Sequence, residues 1–208
     1  MRRFVVIGQR ASASADFLPQ DLPGSSGRLD VLLRCLRAAL LVSHGVRHDT
    51  IVYLVLNGGE RAPRTLRFTG SAARFLRPDE RSLAILTQKS LAATATGTGF
   101  SDVREGVAVA DCGLEGVLGE LGGCQCFVLE EGAGDVRAVS DFGPDPVFFI
   151  GDHLGFDAET ESTLGRLGAL AVSVGPLSLH AEDCVTLVAN ELDRRACQPG
   201  QTVVPSGA

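Results

Sequence analysis

Val172–Asp193 reads VSVGPLSLHAEDCVTLVANELD, and it divides into three pieces. Ala169–Val174 is a short run of small and β-branched residues, which predicts a strand. Gly175–His180 (GPLSLH) opens on the Gly-Pro pair that marks a loop. From Ala181 the apolar residues Cys184, Val185, Leu187, Val188 and Leu192 recur at helical spacing, so a helix is predicted over Ala181–Arg195. A strand, a polar loop and an amphipathic helix in that order are the repeating unit of an α/β fold.

Working outward, the same unit recurs. Pro146–Ile150 (PVFFI) predicts a buried strand; it runs into Gly151-Asp152-His153 and then a helix over Ala158–Leu167. Gln125–Leu129 (QCFVL) predicts a strand that ends in the acidic, Gly-rich turn Glu130–Gly134, with Val136–Val139 returning as a hairpin. A short helix is expected over Cys112–Leu121 and a weak strand over Val107–Ala110. In the first half, Arg3–Gly8, Ile51–Leu56 and Thr65–Phe68 predict strands. Ser26 is a candidate N-cap for a helix running to Val42, with a core stripe of Leu29, Leu32, Leu33, Leu36 and Leu40. A second helix follows Pro78, with acidic residues first and Lys89 late, as the helix dipole prefers. Gln9–Gly27 has no periodicity and reads as a long loop; Thr94–Gly99 breaks the pattern again. The sum is an α/β fold with a mostly parallel sheet flanked by helices. In open sheets of this kind ligands bind beyond the carboxyl ends of the strands. The loops that follow Leu129, Ile150 and Val174 therefore form a pocket candidate, and Val174–Cys184 (VGPLSLHAEDC) is its third wall.

Charge is distributed unevenly. Residues 1–104 hold 15 Arg and Lys against 8 Asp and Glu, whereas residues 105–208 hold 4 against 17. A net of −6 argues against nucleic acid, but a basic half joined to an acidic half suits a polyanion on one side only. All but one of the basic residues are Arg, the residue suited to bidentate phosphate contacts and base stacking. Arg28 stands out, because a cation at a helix start opposes the dipole. No apolar run approaches a membrane span, and Phe4–Ile7 is too short for a signal-peptide core, so a cytoplasmic protein is expected.

Other chemistries find little support. The six cysteines are scattered without a C-x-x-C pair, and the four histidines lack metal-site spacing, so no metal is expected. No Walker A sequence or nucleophile elbow occurs. Ser178 and His180 allow a small-molecule α/β hydrolase as an alternative, which predicts ester turnover without a cofactor. Asp152-His153 reads more simply as a backbone-capping pair than as a catalytic unit.

Several long stretches occur in an order that resembles one family: Gly27–Arg34 (GRLDVLLR), Ser43–Arg47 (SHGVR), Pro78–Ser82 (PDERS), Val147–Phe156 (VFFIGDHLGF) and Val172–Asp193. They are similar to the archaeal-type tRNA pseudouridine-N1 methyltransferases, the TrmY family of the SPOUT superfamily. The resemblance covers nearly the whole chain, apart from the region around Ala95–Asp111 and the tail. It implies a C-terminal trefoil knot, a homodimer and S-adenosylmethionine bound by the three loops. Its cofactor contacts fall on Leu129, Gly151, Gly175, Leu177, Ser178, Leu179 and Cys184, which makes Ser178 and Cys184 pocket residues and not nucleophiles. The implied reaction is N1-methylation of pseudouridine in RNA, at position 54 of the tRNA T-loop. Arg28, Arg34 and Arg81 are the candidate RNA contacts, and Asp30 the candidate to orient the base or take its proton. The organisation expected is a single domain over residues 1–197, with a basic RNA-facing half to about 104 and an acidic cofactor-binding half beyond it, followed by a flexible tail over 198–208. A non-catalytic RNA-binding relative, or one with a different target, is the competing expectation; the non-catalytic form predicts little or no cofactor binding.

Overall fold

A computed structural model describes residues 1–95 and 99–197. The tail expected over 198–208, and part of the break at 94–99, lie outside the described residues.

Alternate residues of the first strand, β1 (Arg2–Ser12), face opposite sides of a sheet, and both sides are covered. Phe4 and Val6 join one apolar cluster while Val5 and Ile7 join another, and all four are fully buried. The same split separates Phe148 from Phe149 in β9 (Val147–Gly151). Burial on both faces is why these strands read as continuous apolar runs and not as alternating ones. One face carries α2 (Leu29–Leu40), α3 (Glu80–Ala92) and α6 (Ala181–Ala196); the other carries α4 (Leu114–Leu118) and α5 (Ala158–Arg166). The predicted leucine stripe of α2 is buried throughout.

The remaining strands are β4 (Thr50–Gly58), β5 (Arg64–Thr69), β6 (Ser101–Arg104), β7 (Val107–Ala110), β8 (Cys126–Asp135) and β10 (Leu170–Ser173). The eight-stranded sheet runs β10-β8-β9-β1-β4-β5-β7-β6. Its first five strands are mutually parallel, and β5, β7 and β6 extend it by antiparallel pairing. The mostly parallel α/β architecture is thus as expected.

Four local expectations change. The hairpin return over 136–139 is absent: β8 pairs in parallel with β9 and β10, and Val136–Ala138 is a single 3-10 turn. The stretch after Gln9 is not a loose loop. Strand β1 continues to Ser12, a short helix α1 (Leu22–Ser25) follows, and Ala11, Ala13, Phe17 and Leu22 are buried. The long first helix stops at Leu40, where the chain turns into a small hairpin of β2 (Leu41–Val42) and β3 (Gly45–Val46). Its N-cap is Arg28, although the Ser26 hydroxyl still accepts the Leu29 amide at 3.2 Å. Gly27, at φ +61°, lets this entry pass β1, since a Cβ there would sit 1.8 Å from the Arg10 carbonyl oxygen.

Buried arginines fasten the periphery. Arg64 is 1% exposed; it donates to the Leu91 and Ala93 carbonyls at the end of α3 (2.6 and 3.0 Å) and to Asp111. These are carbonyls that a helix terminus leaves without an internal partner. Asp193 of α6 receives Arg2 and Arg47, each at 2.7 Å. On the opposite side of that helix, Arg195 donates to the Val139 and Arg137 carbonyls and lies over the Phe142 ring. The end of α6 is therefore held between the start of β1 and the segment joining β8 to β9.

Candidate functional site

The carboxyl ends of β8, β9 and β10 converge on one cavity of about 1160 Å³. Each of the three loops has a different construction. In β8 the register with β10 jumps from Val128↔Ala171 to Gly134↔Val172, so residues 129–133 leave the ladder and overhang the sheet edge. After β9 the chain folds back at once: Asp152 bridges Gly155, and its amide donates to the Ile7 carbonyl at 3.0 Å. The Asp152 carboxylate accepts the Gln9 and Leu154 amides at 2.9 and 2.8 Å, which is the capping role read from the sequence. After β10, the Ser173 hydroxyl donates to the Gly175 carbonyl at 2.9 Å, and His180 starts α6 by accepting the Asp183 and Cys184 amides on its carbonyl.

Six of the seven predicted cofactor positions line this cavity: Leu129, Gly151, Leu177, Ser178, Leu179 and Cys184. Gly175 is not on the wall; it shapes the loop through its main chain. Arg28 and Arg34 line the cavity from α2, whereas Arg81 does not. Asp30 is 1% exposed and sits behind the wall. Sequence reasoning missed Glu182, Val31 and Phe156, which also line it. Glu182 lies in the first turn of α6, where an acidic residue reads as a dipole partner; nothing local signals that its side chain meets α2.

The mouth is built on charge. Asp30 accepts Arg28 at 3.0 Å and Arg34 at 2.9 Å. Arg34 also binds Glu182 of α6 at 2.7 Å and approaches Glu80 of α3 at 3.6 Å. Arg28 is held in the left-handed region at φ 70°, which places its guanidinium over Asp30. Burial pushes the Asp30 pKa up, but the hydrogen bonds from Arg28 and Arg34 outweigh it and leave the carboxyl below the usual range. Asp193 is lowered in the same way, burial being outweighed by Arg47 and Arg2. A depressed carboxylate contributes stability that is fully present above its unfolded pKa and is lost as pH falls through its folded pKa. The urea midpoint should therefore stay flat through neutral pH and drop on the acid side of the ordinary carboxylate range. Asp30→Asn should be less stable at pH 7 and less sensitive to acid; equal acid sensitivity would show that Asp30 is not a source of it. Burial, then the nearby Asp183 charge, raises the Cys184 thiol, so it is a neutral wall residue at pH 7. Ser178 and His180 are both exposed and share no hydrogen bond among the described residues, which leaves the hydrolase alternative without its catalytic contact.

A family model described as "Putative SAM-dependent RNA methyltransferase" matches residues 1–197. The chain belongs to this family. A tRNA (pseudouridine(54)-N(1))-methyltransferase of Methanosarcina acetivorans is 43% identical over 209 residues, covering 100% of this chain and 97% of that protein. The Halobacterium salinarum protein of the same name is 41% identical, covering 93% of this chain and 96% of its own length. Among solved structures, Archaeoglobus fulgidus Nep1 bound to S-adenosylhomocysteine superposes with a TM-score of 0.66 at 18% identity, over 94% of this chain and 99% of that one. At that identity the likeness establishes the fold. The family's SAM dependence meets a cavity of suitable character: apolar walls from Val31, Ile150 and Phe156, main-chain polar groups on three loops, and a volume at or above the roughly 300–1,000 Å³ of one small-ligand pocket. No helix among the described residues is long and apolar enough to cross a membrane.

Proposed function

We propose that this chain methylates N1 of pseudouridine in tRNA, at position 54 of the T-loop, using S-adenosylmethionine. The observation that carries the reading is one cavity that joins three sheet-edge loops to Arg28 and Arg34, in a chain matched end to end by relatives of that name. The loops that contain Leu129, Gly151 and Gly175–Leu179, with Cys184 behind them, hold the cofactor, which supplies an electrophilic methyl group when bound. The chain's own residues bind and orient. Arg28 and Arg34 present a rim of guanidinium donors to the RNA, their charge balanced by Asp30, Glu80 and Glu182, and Arg81 extends it along α3. Asp30 stays charged between two guanidiniums and acts as a positioning residue, fixing the angle of that rim. The target base leaves its stack to reach the cavity, as nucleobase-modifying enzymes require. For the transfer to balance, N1 must give up its proton to solvent water, and the chain's contribution to rate is mainly alignment.

The chain is read as a single domain over residues 1–197, with its acidic half building the cofactor site. A C-terminal knot is part of this reading and rests on the family resemblance of Val172–Asp193. A homodimer is supported by Leu170 on the edge strand β10 (52% exposed) and Leu177 in the neighbouring loop (72% exposed). The test is transfer of a labelled methyl to a T-arm stem-loop. Pseudouridine at the target position should accept it and uridine should not, with an N1-methyl product by mass spectrometry. Calorimetry on S-adenosylhomocysteine completes the test. Cofactor binding without transfer to any pseudouridine RNA would indicate an inert relative, and no cofactor binding would refute the site itself.

A further inference from the structure

Phe75 has no place in the core. Its side chain is 91% exposed, the most of any large hydrophobic residue described, and its φ is +56°. Among the described residues only Arg28 shares that conformation outside glycine, and a bulky side chain there is strained. The loop is nonetheless pinned. Ala73 is buried against the Gly106 turn, the Arg74 carbonyl accepts Arg104 at 3.2 Å, and Leu76 packs on the core. The ring is thus presented outward on a fixed backbone, the arrangement that minimises the ordering cost of a stacking contact.

The surface beside it is cationic. Arg81, Ile85 and Lys89 lie four residues apart on α3 and are exposed, so they share its outer face. Arg77, also exposed, lies just before the Asp79 N-cap of that helix, separated from it by Pro78. Of the carboxylates adjacent in sequence, Asp79 caps the Ser82 amide at 2.8 Å and also feels the charge of Arg77, Glu80 faces Arg34, and Glu105 pairs with Arg74. Neither Arg81 nor Lys89 has an ion-pair partner among the described residues. Glu80 also ties this surface to Arg34 on the cavity wall, and Phe75 is five residues from it, at most about 18 Å of extended chain.

We infer that Phe75 and the outer face of α3 form a second RNA contact outside the methyl-transfer cavity. An unpaired nucleobase stacks on the Phe75 ring, and its flanking phosphates lie against Arg77, Arg81 and Lys89. This deepens the reading of the chain as an RNA methyltransferase and rests on it. An exposed aromatic beside unpaired cations is the combination that binds single-stranded segments with little sequence preference.

The chain contains no tryptophan, so Phe75→Trp creates a sole fluorescent reporter at the contact. Adding a T-arm stem-loop should quench it. Phe75→Ala should bind the same RNA about tenfold more weakly, with unchanged S-adenosylhomocysteine affinity and melting temperature. The Arg81→Ala/Lys89→Ala double variant should flatten the slope of log affinity against log salt by about 1 to 2. Wild-type RNA affinity in Phe75→Ala together with an unquenched indole overturns the assignment while leaving the enzyme reading intact. An indole signal that changes with protein concentration in the absence of RNA places a second copy of the chain there, and overturns it also. If the wild-type protein binds no RNA, the underlying reading fails and this contact with it.

Discussion

Gly151→Val should weaken cofactor binding and sharply reduce methyl transfer while leaving a folded protein. A Cβ at this position would lie 2.8 Å from both the Cα and the carbonyl carbon of Gly155. Those are backbone atoms, so relief requires moving the turn and not a side-chain rotamer. The turn is fastened to β1 through the Asp152 amide on Ile7 and through the Gln9 amide on the Asp152 carboxylate. Displacement therefore reaches the central strand, and overpacking of this kind costs about 1 to 3 kcal/mol, a cost the fold can absorb. Catalysis cannot absorb it, because a shift near 1 Å in a positioning loop is worth roughly 100-fold in rate. Methyl transfer should fall by about 100-fold or more and calorimetry should show weakened S-adenosylhomocysteine binding; near-wild-type affinity would mean that the cofactor does not contact this turn.

The second large effect is on stability. Arg64→Met keeps much of the side chain's length and apolar stem but removes the donors to the Leu91 and Ala93 carbonyls. Arg61 still donates to the Leu91 carbonyl at 3.2 Å, so the Ala93 carbonyl is the acceptor left without a donor, which costs about 1 to 3 kcal/mol. The lost ion pair adds little, since Asp111 is half exposed. A total of about 1 to 3 kcal/mol is still a sizeable share of the roughly 5 to 15 kcal/mol that holds a domain together. Urea unfolding should report it as a lower midpoint with unchanged slope. A loss below about 1 kcal/mol would show that the Ala93 carbonyl finds another donor.

The apolar runs at Phe4–Ile7, Val52–Leu56 and Val147–Ile150 report burial on both faces, and burial on both faces is what a parallel sheet between helix layers provides. The three loops were legible for a related reason: strand ends rich in Gly and polar residues are local features. The false hairpin at 136–139 has the opposite cause. Residues 129–133 have turn composition, but whether such a turn reverses the chain or merely interrupts a strand depends on the partner strand, and β10 begins only at Leu170, far along the sequence.

Val172–Asp193 shows the division most clearly. Its strand, loop and helix follow from propensity and period, which act over a few residues, and the sequence alone determined them. The same holds for the α/β class, the uneven charge and the family resemblance. Only the tertiary structure decided what the charges do. Glu182 meets Arg34 across 148 residues, Asp193 meets Arg2 across 191, and Asp30 changes from a candidate proton acceptor to a carboxylate held between two guanidiniums. The energy of a charge depends on the neighbours and solvent around it, and in this chain those neighbours come from opposite ends of the sequence.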